Sequence, residues 1–165
     1  MRPAKCLVTG LAALLLSGVM VQAQDLQAFD TVEGWEILVD PTVGNGCLIN
    51  AEFEDGSDVR IGFDMAADSG YVLAANAAWG DIEQGATYPL TFSLDGDVYE
   101  AEGKGLYIDD LPGVDIAFDS MDFLMGLAEK NSMELSTSNG PVMTIDLSGS
   151  AAALLRAIEC QEQQG

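Results

Sequence analysis

Carboxylates are the abundant side chains of this sequence that could carry chemistry. It holds 27 aspartates and glutamates and no histidine. Without imidazole, Ser-His-Asp and Cys-His nucleophilic sites, histidine-ligated zinc and the usual acid–base group of neutral pH are excluded. Acids gather in two places: Glu52, Glu54, Asp55 and Asp58, then Glu100, Glu102, Asp109 and Asp110. A pair of these could do glycosidase chemistry, one carboxyl protonating a leaving oxygen while the other attacks or activates water. Asp95 and Asp97 with nearby carbonyls could hold Ca²⁺, which takes several hard oxygens, although the Asp-x-Asp-x-Asp-Gly loop with its closing glutamate is absent. No spacing singles out one pair, and acids beside Asp-Gly are first of all solvated turns. Gly103-Lys104-Gly105 lacks the strand-to-helix setting of a phosphate loop. No catalytic residue, metal ligand or cofactor is expected.

The cysteines point to a bridge. Arg2 and Lys5, the apolar run Leu7 to Val21, and small residues at Val21-Gln22-Ala23 read as a secretory leader cleaved before Gln24. Cys6 leaves with it. Cys47 and Cys160 then remain in a compartment that permits disulfides. They are far apart in sequence and have no flanking positive charge, so a structural disulfide fits better than redox chemistry. The mature chain, residues 24–165, has the length of one domain. It keeps four basic residues, Arg60, Lys104, Lys130 and Arg156, against all 27 acids. That surface repels phosphate backbones and anionic lipid, so nucleic acid is excluded as a partner, and no membrane insertion is expected once the leader is gone.

The aromatic residues Trp35, Tyr71, Trp79, Tyr88, Tyr99 and Tyr107 mostly read as core or sheet-end side chains. Tyr71 and Trp79 are the candidate ligand contacts, Trp79 because Trp79-Gly80 falls in a turn, where a large ring has less reason to be buried.

The elements that must position these residues are mainly strands. After a polar lead-in to Glu33, Trp35–Val39, Cys47–Glu54 and a strand bearing Val59, Ile61, Phe63 and Met65 alternate in and out around Asp55-Gly56. Tyr71–Ala77 follows, then the strand of Tyr88, Leu90, Phe92 and Leu94, the Asp95-Gly96 turn, and Val98–Glu102. Gly103 to Gly113 reads as loop with at most one short strand. Period then changes: Asp119 or Ser120 caps a helix with a stripe of Met121, Leu124, Met125 and Ala128, widened by Phe123 and Leu127. A last hairpin over Met133–Ser138 and Val142–Leu147 leads to a closing helix, Ala151–Glu159, and a solvated tail from Gln161. Six or seven strands before the first helix make an α+β fold, mainly antiparallel β, as a β-sandwich or partly open β-barrel with two short helices in the C-terminal third.

The ordered run Trp35, Gly46-Cys47, Asp55-Gly56, Gly70-Tyr71, Trp79, Gly85-x-x-Tyr88, Leu147-x-Gly149-Ser150 and Cys160 resembles a group of small exported alphaproteobacterial proteins of unassigned function. The Phe123-Leu124 helix, the closing strand and the Gly149-Ser150-x-Ala152-Ala153-Leu154 helix are similar to the invasion-associated locus B family of periplasmic proteins. That family's extra mid-chain cysteine and basic character are missing here. Neither resemblance supplies a catalytic residue. The leading expectation is a non-enzymatic periplasmic or secreted binding domain for a protein or envelope ligand. The alternatives are a carboxylate-based hydrolase of the envelope and a Ca²⁺-stabilised structural envelope protein.

Overall fold

In a computed structural model the chain is described over residues 25–108, 110–119 and 121–164. The expected leader with its expected cleavage site, Asp109 of the second acidic group, and the helix-cap candidate Ser120 lie outside the described residues. The strands are β1 (Gln27–Val32), β2 (Trp35–Asp40), β3 (Gly46–Glu52), β4 (Asp58–Asp64), β5 (Ser69–Ala75), β6 (Thr87–Leu94), β7 (Asp97–Ile108), β8 (Leu111–Phe118), β9 (Ser132–Thr137) and β10 (Gly140–Asp146). The helices are α1 (Met121–Ala128) and α2 (Ser150–Gln164). All ten strands join one antiparallel sheet in the order β1-β2-β3-β4-β5-β8-β7-β6-β9-β10. This is the expected α+β class, an open, barrel-like sheet carrying two helices near the C-terminus.

Local chemistry sets the turns. Between β6 and β7, Asp95 and Gly96 both take positive φ, 50° and 97°, as a two-residue hairpin requires. Between β3 and β4, Asp55 accepts the Ser57 amide at 3.0 Å, and Asp64 accepts the Ala66 and Ala67 amides, each at 2.9 Å, after β4. Much of the acidity is therefore spent on closing turns. A twisted sheet of ten strands does not stay flat. Its inward side chains from both halves share one core: Ile37, Ile49 and Ile61 with Phe92, Leu135 and Ile145. Both edge strands carry a register break, at Ala28/Asp30 in β1 and Pro141/Met143 in β10, which blunts them against edge pairing.

The closing helix α2 seals that core with Ala153, Leu154, Ala157 and Cys160. Cys160 is bonded to Cys47, 113 residues away in sequence. Beside the bridge the Cys47 amide donates to Gln161 Oε1 at 2.8 Å. At the other end of the helix, Trp35 Nε1 donates to the Ser148 carbonyl at 3.0 Å. Arg156 reaches across to Asp30 at 2.6 Å, its guanidinium 4.8 Å from the Phe29 ring.

Several expectations are corrected. The polar lead-in contains strand β1; its burial is slight because it is an edge, so no alternation marks it. Among the described residues eight strands, not six or seven, precede α1. Gly103 to Gly113 holds two strand segments rather than at most one, the second half of β7 and the start of β8. Met65 lies beyond β4 and is 47% exposed rather than facing inward. On α1, Leu124 and Leu127 are buried while Met125 faces out. Helix α2 runs to Gln164, so the expected tail is helical and Gln161 is a working contact.

The entry of β3 is packed backbone on backbone. A Cβ on Gly46 would fall on the Phe63 carbonyl oxygen, and Val43 crowds the same space. Gly46→Ala should therefore cost about 2–3 kcal/mol by overpacking. Urea unfolding checks this, and a loss below about 0.5 kcal/mol would show that β3 and β4 separate freely there.

Candidate functional site

A cleft of about 1170 Å³ opens over β6, β7 and β8, bounded by the end of β4, the start of α1 and the end of β9. Glycines allow it. A Cβ on Gly103 would lie 2.7 Å from a Leu90 methyl, and one on Gly113 would lie 2.8 Å from the Ala74 carbonyl. With no side chain at either place, neighbouring strands approach closely and the sheet can bend.

One wall is polar. Glu100, Glu102 and Lys104 occupy alternate positions of β7, hence one face. Their cross-strand partners on β6 are Thr91, Pro89 and Thr87, and the partner of Lys104 on β8 is Asp115. The other end is aromatic. Phe92 stacks on Tyr99 at 5.1 Å and meets Phe118 and Phe123 edge-on at 5.9 and 5.5 Å, while Phe118 and Phe123 stack at 3.8 Å. Tyr99 is 42% exposed, so its ring is available from the cleft.

The electrostatics centre on Asp115. Its Oδ1 is buried and has no hydrogen-bond partner. Burial pushes its carboxyl above the usual carboxylate range, and the nearby Asp64 charge pushes the same way, while Lys104 opposes both. Lys104 and Asp115 stand opposite each other on β7 and β8 but form no ion pair. Among the described residues the other three cations are all paired: Arg60 with Asp58, Lys130 with Asp97, and Arg156 with Asp30 and Glu159. The cleft thus holds an unpaired cation beside a carboxylate that lacks a donor.

An ionised Asp115 destabilises the fold at neutral pH. The cost fades as the pH falls through the raised folded value and is gone below the ordinary range, where the group is neutral in both states. Asp115→Asn should raise Tm by about 2 °C at neutral pH, with the gain vanishing near pH 4. Scanning calorimetry across that range checks it; a gain independent of pH would show that charge is not the cause.

The acids of the β6–β7 turn are occupied. Both Asp95 oxygens accept from the Asn131 and Ser132 amides at 3.0–3.1 Å, and these bonds hold its carboxyl below the usual range. Asp97 is taken by Lys130 at 3.0 Å. Their side chains, expected as possible calcium ligands, instead tie the β6–β7 turn to the segment after α1. Among the described residues no three His, Cys, Asp or Glu side chains converge as a metal site would need. Of the first acidic group, Asp58 is buried against Arg60 and Asp55 closes a turn.

Tyr71 lies across the β4–β5–β8 sheet between its register partners Gly62 and Ala117. It is 9% exposed, and burial, followed by the Asp40 charge, raises its phenol above the ordinary value. Trp79 is half-buried in a 3-10 turn, Ala77–Trp79, packed on the rim of the core. Tyr107 both donates to the Ile82 carbonyl at 2.9 Å and accepts its amide at 3.2 Å, and Tyr88 accepts the Glu83 amide at 2.9 Å. Those two rings latch the loop before β6. Sequence reasoning missed Asp115 and the Phe92–Tyr99–Phe118–Phe123 group; the aromatic spacing was visible, but a register linking β5 to β8 was not.

Among the described residues no helix is long and apolar enough to cross a membrane. No family model matches the chain, and no curated protein matches it either. The fold is similar to the crystal structure of invasion associated protein B from Bartonella henselae, at 16% identity, 81% coverage of this chain, 97% of that one, and a TM-score of 0.57. That likeness agrees, at the level of the fold, with the resemblance carried by the Phe123-Leu124 and Gly149-Ser150 helices.

Proposed function

We propose that the chain is a non-catalytic binding domain, exported by residues 1–23 to the periplasm or beyond, locked by Cys47–Cys160, and using the β6–β7–β8 cleft to hold a protein or envelope ligand. The observation that carries this reading is Asp115 Oδ1, buried at a large open cleft without a donor. Buried polar atoms are nearly always paired, and one that is not marks a place where a partner can supply the bond. The buried disulfide supports an oxidising compartment. Of the two rings expected as contacts, Trp79 is half-buried and Tyr71 is covered, and neither lines the cleft.

Capture from a periplasmic extract tests the reading. The mature protein should retain a partner that an Asp115→Asn/Glu100→Gln/Glu102→Gln variant loses. Equal retention by both would remove the cleft from the account. Mass spectrometry of the exported form should find an N-terminus at Gln24.

A second reading, a carboxylate-based hydrolase, has one observation in its favour: the raised Asp115 carboxyl with the Asp64 charge nearby is the environment of a general acid. Glycan turnover abolished by Asp115→Asn would establish it; binding without turnover favours the first.

A further inference from the structure

We propose that the cleft takes an extended, acid-free segment of a partner polypeptide as an added strand, paired main chain to main chain with an open edge of β7. This rests on the binding reading above and names its ligand class. β7 is twelve residues long, and β8 pairs only with its last five, Lys104 to Ile108. Beyond Lys104↔Asp115 the two strands part: β8 continues along β5 to Phe118, while the rest of β7 pairs with β6 alone. The main chain shows which groups this leaves open. Gly105 donates to the Ala86 carbonyl at 2.9 Å and accepts the Gly85 amide at 2.7 Å, both on the β6 side. Antiparallel pairing alternates sides residue by residue, so Val98, Glu100 and Glu102 turn their N–H and C=O toward the place β8 has left. Pro89, with no amide to give, fits opposite Glu102 for the same reason. Across the gap, Pro112 of β8 accepts the Asn76 amide on the β5 side, so Ala117, an odd number of residues on, faces its main chain toward β7.

The gap is a slot with two strand edges for walls. Glu100, Glu102 and Ala117 are exposed and all line the cleft. Phe118 and Phe123, stacked on each other and packed on Phe92, fill the core side and hold the strands apart. Among the described residues no turn or loop backbone bonds to Val98, Glu100, Glu102 or Ala117. The outer strands β1 and β10 are blunted by register breaks, whereas β6 and β7 pair without a break from Leu94↔Asp97 to Thr87↔Lys104. This inner edge therefore keeps the regular spacing that templates another strand. At about 1170 Å³ the cleft exceeds the roughly 300–1,000 Å³ of a small-molecule pocket. Charge chooses the occupant. Asp64, Glu100, Glu102 and Asp115 outnumber Lys104 on the walls, which repels an acidic strand. A second copy of β7 would bring Glu100 and Glu102 against their own kind, so the fitting partner is a different, acid-free chain.

Fluorescence anisotropy tests this with the oxidised chain over residues 24–165 and labelled acetyl-Lys-Thr-Val-Thr-Val-Thr-Gly-amide. Its valines seek the aromatic side of the slot. In a strand antiparallel to β7, the outward threonines then point their amides at β7 and the valines point theirs at β8. N-methylating two threonines should weaken binding at least tenfold, whereas the isomer N-methylated at both valines should lose less than about threefold. The two isomers share charge and composition, so general attraction to an acidic protein cannot separate them. Glu102→Pro removes a donor that β6 does not use. It should weaken the unmodified peptide about fivefold more than Glu102→Gln, which loses the same charge and keeps the amide. Circular dichroism confirms that each variant is folded, and the isomer comparison needs no variant at all. No binding of the unmodified peptide at millimolar concentration, or equal loss from the two isomers, would overturn the added strand. A concentration-dependent dimer that Glu102→Pro dissolves would give the slot to a second copy and overturn the partner peptide. Either failure, with partner capture still lost by the cleft variant, leaves the binding reading standing; equal capture removes both.

Discussion

Replacing both bridging cysteines, Cys47→Ala/Cys160→Ala, lowers the unfolding free energy by about 4–5 kcal/mol. The bridge joins residues 113 apart, so in the unfolded chain it closes nearly the whole domain into a ring and removes more entropy than a short loop would. A domain of this length is stabilised by about 5–15 kcal/mol in all, so the reduced form keeps a small margin. The loss falls first on α2. That helix touches β1, β2 and β3, and its polar ties to them are few. Urea unfolding of the oxidised and double-alanine forms reads the effect as a drop in midpoint of about 2 M. A difference below about 1 kcal/mol would mean that packing alone holds α2 in place.

Trp35→Ala should cost about 3–5 kcal/mol. The indole is 3% exposed, meets Phe53 edge-on with centroids 6.3 Å apart, and donates to the Ser148 carbonyl just ahead of α2. Truncation removes a large buried surface and strands that carbonyl at the same time. Trp35→Phe separates the two contributions, since a benzyl ring refills most of the volume without the donor. It should cost about 1–2 kcal/mol. Equal losses for Ala and Phe would place the whole effect in the hydrogen bond rather than in the core.

Much of this fold was legible because its hairpins follow turn chemistry. Asp55-Gly56 and Asp95-Gly96 announce their turns, and Ile37, Ile61, Phe92 and Leu94 alternate as a half-buried sheet requires. The pairing of Cys47 with Cys160 followed from there being no other cysteine beyond the expected leader. What stayed hidden has a physical cause in each case. β1 is an edge strand whose sequence, QAFDTV, presents no continuous apolar face. Gly103, Gly105 and Gly113 read as loop because glycine breaks both periodic patterns. In the fold they sit inside strands, where a side chain would strike Leu90, the Glu83 carbonyl or the Ala74 carbonyl. Those same glycines shape the cleft, so the feature that concealed β7 and β8 from pattern reading also concealed the site. Asp115 looked like one acid among many. Its distinction comes from β8 pairing with β5 across the intervening β6–β7 hairpin, a contact that no local pattern announces.

The most direct test of the cleft is chemical-shift mapping of the oxidised chain over residues 24–165 titrated with the partner captured from the periplasmic extract. The account predicts that perturbed amides gather at Thr87–Thr91, Glu100–Lys104 and Asp115, with the acidic β3–β4 hairpin around Glu52 and Glu54 unmoved. Shifts spread evenly over both acidic regions, or centred on that hairpin, would contradict it.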